Sequence, residues 1–468
     1  MHHQIIEDLV GRADFTLSKD QEEALGIFIH FMRSDELRAT YLLTGSAGTG
    51  KTFLIQLFTR YVKKLGYKVV LLAPTGRAAK VITRRTQRAA FTIHHHIYSP
   101  REGRAGDVAF TLKENKAPQK TIYIVDEASM IGDKRDSTSH NSLLTDLLAF
   151  VFEKDELRKL VLVGDPVQLP PVGHDESPAL DKHEVGSRLW LSIFDAHLTD
   201  VKRQETDSGI LAHAVQLRDV YQRGEESLIL NPNRDVMTLE TPYESIETYI
   251  GYYEQGNSDR VVFLTYSNYL ATRVNHALRQ QIFYAEETLV PGDLLMVVRN
   301  NYAWGDNKRL PFIANGEMGT VREVYQESYE ELYGLKWMDV DLEFQDSHGE
   351  YMLINCKIVL DLLTAKQPQL TKDTQYTILM ERQREYASMS PSKAAELMRT
   401  DPYVNALQVK YGYAVTGHKS QGGQWENVII GFEPDYGQNP RAYLRWTYTA
   451  MTRAEERLFL LNCPFIED

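Results

Sequence analysis

The sequence predicts an α/β protein built on doubly wound parallel sheets, and three observations predict it. A glycine-rich loop, Gly45 to Thr52 (GSAGTGKT), separates an apolar run from a helical one. Short apolar runs of strand length recur along the chain and alternate with helical stretches, the pattern of a parallel sheet covered by helices. A second series of the same kind opens at Val261 (VVFLTYS). At 468 residues the chain exceeds one hydrophobic core, so two to four domains are expected.

Ala39 to Thr44 (ATYLLT) reads as a buried strand. From Thr52 onward Phe53, Leu54, Leu57, Phe58, Tyr61, Val62 and Leu65 fall at helical spacing, with Gly66 as the stop. The loop between them fits G-x-x-x-x-G-K-[ST]. Backbone N–H groups of Gly45, Ser46, Ala47, Gly48, Thr49 and Gly50 would cradle phosphates, Lys51 would reach the terminal ones, and the Thr52 hydroxyl would ligate Mg²⁺. Upstream, Ser18 is placed to cap a helix carrying Gln21, whose amide has the donor and acceptor that the edge of adenine requires.

Composition narrows the class. The net charge is −12, from 52 Lys and Arg against 64 Asp and Glu, which excludes coating of nucleic acid by bulk charge but leaves room for a local basic groove. Lys51 to Ala90 carries ten Lys or Arg and no acid, whereas Val321 to Glu350 carries two basic residues and nine acidic ones. The two cysteines, Cys356 and Cys463, lie far apart in sequence, suggesting neither a disulfide framework nor a zinc site. The N-terminal segment lacks a basic region followed by an apolar one, and no apolar run is long enough to span a bilayer. A cytoplasmic protein without a membrane partner is expected.

Lys68 to Ala73 (KVVLLA) reads as a central strand running into Pro74 and Thr75, at the carboxyl end where such sheets bind ligands. Phe91 to Ile97 (FTIHHHI) holds three consecutive histidines; adjacent residues do not face one way, so one functional histidine is expected rather than a metal cluster. Tyr98 to Lys120 reads as a small inserted hairpin. Thr121 to Val125 (TIYIV) ends in Asp126 and Glu127, which beside a phosphate loop can hold Mg²⁺ and activate the attacking water respectively. Leu160 to Gly164 (LVLVG) leads to Gln168, placed to sense the γ-phosphate. A first domain boundary is expected near Leu198 to Gln204, and β character from Glu286 to Val321, with further strands at Val340 to Phe344 and Tyr351 to Leu360. Thr371 to Thr400 reads as helical apart from Pro391, and Leu444 to Arg453 as a helix ending in an arginine.

The ordered series TLSKDQ, GSAGTGKT, APTGRAA, TIH, DEAS, GDPVQLPP, a Lys-Arg-Gln segment, TGHKSQGG and YTAMTRA resembles superfamily 1 DNA helicases, in particular the RecD-like and Dda-like branch. The resemblance runs from about Phe15 to Leu461. It implies two RecA-like domains, an ATP and Mg²⁺ requirement, and 5′-to-3′ movement on single-stranded DNA and its junctions with duplex. Position by position it implies Gln21 on the adenine, Lys51 and Thr52 on phosphates and Mg²⁺, Asp126 on the metal, Glu127 as base and Gln168 as sensor. Arg203 and Arg453 would be arginine fingers, and Pro74, Thr75, His94, Thr416 and His418 would line the strand path. It divides the chain into a first RecA-like domain over 1–200 with its hairpin at about 97–120, and a second over 201–320 and 409–468. An SH3-like and helical insertion fills 321–408.

No counterpart of the longer relatives' N-terminal extension is expected ahead of Gln21, and no nuclease cluster is visible. The resemblance implies a monomer, with replication or recombination proteins as partners. A motor subunit weakly active alone, and an RNA helicase, are the alternative readings.

Overall fold

The computed structural model describes residues 9, 17–102, 108–135, 141–200, 208–225, 228–255, 257, 259–284, 286–305, 312–346, 350–434 and 439–466. It divides into two compact units. The first comprises Met1–Arg101, Val108–Arg234 and Gln438–Thr452, and the second Glu102–Asp107, Asp235–Gly437 and Arg453–Asp468.

The first unit is a six-stranded sheet. Its strands are β1 (Ala39–Gly45), β2 (Lys68–Ala73), β3 (Ala90–Thr92), β6 (Thr121–Val125), β7 (Lys159–Gly164) and β8 (Ser192–Leu198), in the order β3-β2-β6-β7-β1-β8. Every neighbouring pair is parallel. Between β3 and β6, β4 (Tyr98–Glu102) and β5 (Val108–Leu112) form a separate two-stranded sheet. Both faces of the large sheet are buried, so its strands read as continuous apolar runs rather than as an alternation. Tyr41, Leu43, Leu71, Ala73, Ile122, Ile124, Val161 and Val163 pack against α1 (Lys19–Arg33), α2 (Lys51–Lys64) and α3 (Gly76–Thr86). Their strand neighbours Leu42, Leu72, Tyr123, Val125, Leu160 and Leu162 pack on the other face, with α4 (Ile93–Ile97) and α5 (Leu143–Phe152).

Local signals set the helix ends. Ser18 and Gln21 form a reciprocal capping box at the start of α1. Thr75 caps α3 by accepting from the Ala78 N–H, and α2 stops two residues before Gly66, which takes a φ of +76°. A further helix, α6 (Gly209–Arg223), follows β8.

The second unit holds two five-stranded sheets. One is parallel, in the order β16-β10-β17-β18-β9, from β9 (Val236–Leu239), β10 (Val261–Thr265), β16 (Ala414–Thr416), β17 (Trp425–Gly431) and β18 (Ala454–Leu461). The other is antiparallel along β14-β13-β12-β11-β15, from β11 (Leu294–Val297), β12 (Met318–Leu332), β13 (Leu335–Gln345), β14 (Tyr351–Val359) and β15 (Val409–Tyr411). A single core joins them: Val261, Phe263 and Ile429 of the first and Leu295, Val340 and Tyr411 of the second belong to one buried cluster. Helices α7 (Pro242–Tyr252) and α8 (Asn268–Phe283) flank the parallel sheet; α9 (Lys372–Tyr386) and α10 (Pro391–Thr400) follow β14, and the short α11 (Gly417–Ser420) follows β16. The acidic stretch after Val321 is strand, its charges on the solvent side of β12 and β13, and Pro391 opens α10 instead of interrupting a helix.

Helix α12 (Pro440–Met451) comes late in the sequence yet is counted with the first unit. It lies on α6, where the Arg441 and Arg445 guanidinium groups stand 4.6 and 5.4 Å from the centre of the Tyr221 ring.

The histidine run resolves into three surroundings. The His94 ring lies 5.6 Å from Tyr98, His95 lies 5.9 Å from Phe91, and His96 lies 5.9 and 5.6 Å from Tyr123 and Phe150. Burial, with Lys113, His95 and Lys68 nearby, pushes His96 down to about 4. The unfolded chain therefore binds a proton here at a pH where the folded one does not. The stability this confers is complete above about pH 6.5 and is lost as the pH falls towards 4, a loss on the order of 1–3 kcal/mol. Urea titrations across that window should show this slope in the wild type and a flatter one in His96→Phe; identical slopes would place the proton uptake elsewhere.

Candidate nucleotide site

Three neighbouring strands of the first sheet deliver the site's chemistry at their carboxyl ends: β6, β7 and β1. β1 runs into the glycine loop. A Cβ at Gly45 would lie 2.8 Å from Thr49 Oγ1 and 2.9 Å from Leu198 Cβ, so only glycine fits where the loop leaves the sheet. Gly50 caps α2 with a φ of +85°, and a Cβ there would meet Gln21 Nε2 at 2.5 Å. Lys51 turns back over the loop, its Nζ donating to the carbonyls of Gly45 at 2.7 Å and Ser46 at 2.9 Å. Thr49 Oγ1 donates to the same Ser46 oxygen at 2.8 Å.

Gln21 is fully buried behind this loop. Its Oε1 accepts from the Ser18 N–H at 3.2 Å and its Nε2 donates to the Thr49 carbonyl at 2.9 Å. Both ends of the amide thus tie the helix start to the phosphate loop.

Asp126 and Glu127 leave β6. The Glu127 N–H donates to Asp126 Oδ1 at 3.0 Å, and Glu127 takes a φ of +53°, a left-handed conformation costing a non-glycine residue about 1 kcal/mol or more. Burial and the Glu127 carboxylate push the Asp126 carboxyl above the usual carboxylate range, against the opposing pull of Lys51 and Arg85. Such a pair is where a divalent cation is most stabilising.

At the end of β7, Asp165 is fully buried, and its Oδ1 accepts from the Val167 N–H at 3.0 Å. Gln168 is 4% exposed, and its Oε1 has no partner among the described residues. A buried amide oxygen of this kind is costly unless something binds it.

Helix α12 fastens both loops, a feature the sequence reading missed. Tyr448 Oη accepts from the Ala47 N–H at 2.9 Å and donates to Asp165 Oδ2 at 2.6 Å. Thr449 Oγ1 accepts from the Leu169 N–H at 2.9 Å. Arg445, 3% exposed, donates to the carbonyls of Gln168 at 2.9 Å and Pro166 at 2.8 Å and to Glu176 Oε2 at 3.1 Å. The only sequence signal for Tyr448 and Thr449 was their place in the YTAMTRA run, and Arg445 lies ahead of that run; partners 269 to 401 positions apart leave no local pattern.

The remaining expected residues lie elsewhere. Pro74 and Thr75 stand where β2 ends, and His94 sits in α4 just beyond β3. Thr416 ends β16 in the second unit and His418 is exposed in α11. Arg453, also in the second unit, is 4% exposed and its Nη1 donates to the Gly423 carbonyl at 3.2 Å. Arg203 lies outside the described residues.

Residues 16–229 match the AAA domain family and residues 411–461 the UvrD-like helicase C-terminal domain. Both matched stretches are thus similar to helicase-type domains, one at each end of the chain. The chain is 24% identical over 466 residues to the uncharacterized protein MJ1519 of Methanocaldococcus jannaschii, spanning 90% of this chain and 36% of that protein. It is 25% identical over 431 residues to the ATP-dependent RecD2 DNA helicase of Deinococcus radiodurans, spanning 89% of this chain and 46% of that one. The chain thus covers less than half the length of these two relatives. Against the crystal structure of a Bacteroides Pif1 helicase in complex with ADP-AlF3 and ssDNA it has 15% identity and a TM-score of 0.49, over 97% of this chain and 94% of that one.

Tyr448→Phe removes the hydroxyl shared by Ala47 and Asp165 and leaves a buried carboxylate short of a donor. We expect a loss of about 1–3 kcal/mol in the unfolding of the first unit, together with weaker ATP binding. Unchanged denaturant midpoint and nucleotide affinity would show that α12 does not hold the loop.

Proposed function

We propose that the chain is an ATP-dependent DNA helicase that moves 5′-to-3′ on single-stranded DNA and opens duplex at the junction. The observation that carries this is the convergence of Lys51, the Asp126–Glu127 pair and Gln168 on three adjacent strand ends of one sheet. That is the set needed to bind a triphosphate, hold a divalent cation and direct a water at the γ-phosphate.

In this reading the loop from Gly45 to Thr52 binds the phosphates, and Thr52 and Asp126 hold Mg²⁺, which neutralises charge on the transferring group. Glu127 takes the proton of the attacking water. Its left-handed backbone supports that role, because strain of this kind persists where the surrounding structure enforces it. Gln168 senses the γ-phosphate, and its unpartnered buried oxygen supports a ligand-dependent contact. Gln21 serves the adenine side, and its grip on Thr49 ties base recognition to the loop. Arg203 and Arg453 act as arginine fingers.

DNA is held chiefly through phosphate contacts and stacking by Pro74, Thr75, His94, Thr416 and His418, giving little sequence preference and strong salt dependence. The antiparallel sheet and helices of the second unit stand as the SH3-like insertion, and the β4–β5 hairpin as the strand-separating pin. The domain division expected from the sequence is retained in this proposal. The motor works as a monomer with replication or recombination partners, in the cytoplasm; its two cysteines are free, and burial raises the Cys356 thiol far above its ordinary value.

The deciding experiment is unwinding by the purified chain of duplexes carrying either a 5′ or a 3′ single-stranded overhang, with ATP and Mg²⁺. Unwinding confined to the 5′ overhang is expected; unwinding only from the 3′ overhang reverses the polarity, and none at all leaves an ATPase without motor output. Glu127→Gln should retain ATP and DNA binding while turnover falls about 100-fold or more. A normal kcat in that variant would move the base to another residue.

A further inference from the structure

We infer that Arg218 is a further phosphate-binding residue, one that contacts the terminal phosphate of a nucleoside triphosphate from within the first unit. The inference rests on the nucleotide reading above and goes beyond it, because Arg218 belongs to none of the motifs that carry the resemblance.

Arg218 lies on α6, and its Nη1 donates to Ser46 Oγ at 3.0 Å. The same nitrogen is 3.5 Å from the Thr199 carbonyl, while Nε and Nη2 engage Asp219 Oδ1 at 2.9 and 2.8 Å. Ser46 is 5% exposed, and its carbonyl accepts from Lys51 Nζ at 2.9 Å. Two cations therefore touch one residue of the phosphate loop, Lys51 from inside the loop and Arg218 from the neighbouring helix. Among the described residues no acidic group bonds Lys51: its hydrogen bonds go to carbonyl oxygens. Like charges brought to one loop repel, and an anion bound there relieves the repulsion.

An ordinary surface ion pair with Asp219 explains less. Adjacent residues on a helix do not face each other, yet the guanidinium bonds Asp219 through Nε and Nη2 while its Nη1 points to Ser46 of the loop. The exposures differ accordingly, 16% for the Arg218 side chain and 40% for that of Asp219. The half-exposed carboxylate is a weak partner that a phosphate can displace, and a guanidinium presents a planar fork suited to phosphate oxygens. The lysine of such a loop reaches both the β- and the γ-phosphate, and we assign Arg218, which approaches Ser46 from outside the loop, to the γ-phosphate, the group that a triphosphate has and a diphosphate lacks.

The test is equilibrium binding of ATPγS and of ADP, each with Mg²⁺, to the full chain by calorimetry. In Arg218→Gln the affinity for ATPγS should fall about 10- to 100-fold, the range for one charge-assisted bond, while that for ADP stays within about two-fold. Arg218→Lys should recover part of the loss. Equal losses for both nucleotides, or no loss for either, overturn the inference, since a merely structural role would not separate them. If Arg218→Gln does not fold, the comparison is made in Arg218→Lys, where a deficit confined to ATPγS upholds the inference and any other pattern overturns it. A wild type that binds neither nucleotide instead overturns the nucleotide reading itself.

Discussion

The first unit depends on a lysine that, among the described residues, is held by carbonyl oxygens. Lys51 donates to Gly45 and Ser46, the residues that begin its own loop, and thereby closes that loop on itself. An ammonium so placed is bonded to backbone oxygens, with the Asp126 carboxyl near enough to feel its charge, and the loop it closes favours an anion. The surrounding residues brace this arrangement rather than compete with it. Gln21 holds Thr49 from behind, Thr49 holds Ser46 from within, and Tyr448 holds Ala47 from above the sheet edge. Ser46, Ala47 and Thr49 of the loop are thus held by the chain's own groups, which lowers the ordering entropy that binding would otherwise cost.

Helix α12 shows how a buried cation can be specific without an ion pair as its main partner. Arg445 is nearly inaccessible, and most of its hydrogen bonds go to the carbonyls of Pro166, Gln168 and Asp175; its one carboxylate partner, Glu176, is 63% exposed. Burying a guanidinium costs several kcal/mol unless its donors are satisfied, and here fixed backbone oxygens satisfy them. The arrangement demands that the segment after Asp165 adopt one path, because a carbonyl that turned away would leave a buried donor unmatched. Arg445 therefore shapes the backbone that presents Gln168, while Tyr448 bridges the same segment to the phosphate loop through Asp165.

What was legible in the sequence and what was not separates along a physical line. The phosphate loop, the N-cap at Ser18, the acidic pair after Val125 and the strands flanking them were readable, because each depends on residues within a few positions of one another. Both faces of the sheet are buried, so apolar runs such as TIYIV and LVLVG announced their strands directly. The Ser46–Arg218 and Ala47–Tyr448 contacts join residues 172 and 401 positions apart, and no periodicity encodes such a pairing. The acidic stretch after Val321 was hard to place for another reason. Its carboxylates lie on the exposed side of long antiparallel strands, where charge is tolerated and conceals the alternation that marks a half-buried strand. Pro391 misled in the same region: a proline within a helical pattern reads as a break, whereas at the first turn it favours a new helix.

Asp165 is where these strands of argument meet. One oxygen of its carboxylate accepts the Val167 N–H and shapes the turn toward Gln168; the other accepts the Tyr448 hydroxyl, which in turn receives the Ala47 N–H of the phosphate loop. The chain from loop amide to tyrosine to carboxylate is short, buried and continuous, and each member polarises the next. Gln168, whose side-chain oxygen has no partner among the described residues, follows in the same turn, its N–H donating to the Asp165 carbonyl at 3.3 Å. The same helix that carries Tyr448 also clamps the backbone around Gln168 through Arg445. The phosphate loop and the backbone that presents Gln168 are therefore held by one element, α12, and neither can shift without disturbing hydrogen bonds that the other shares.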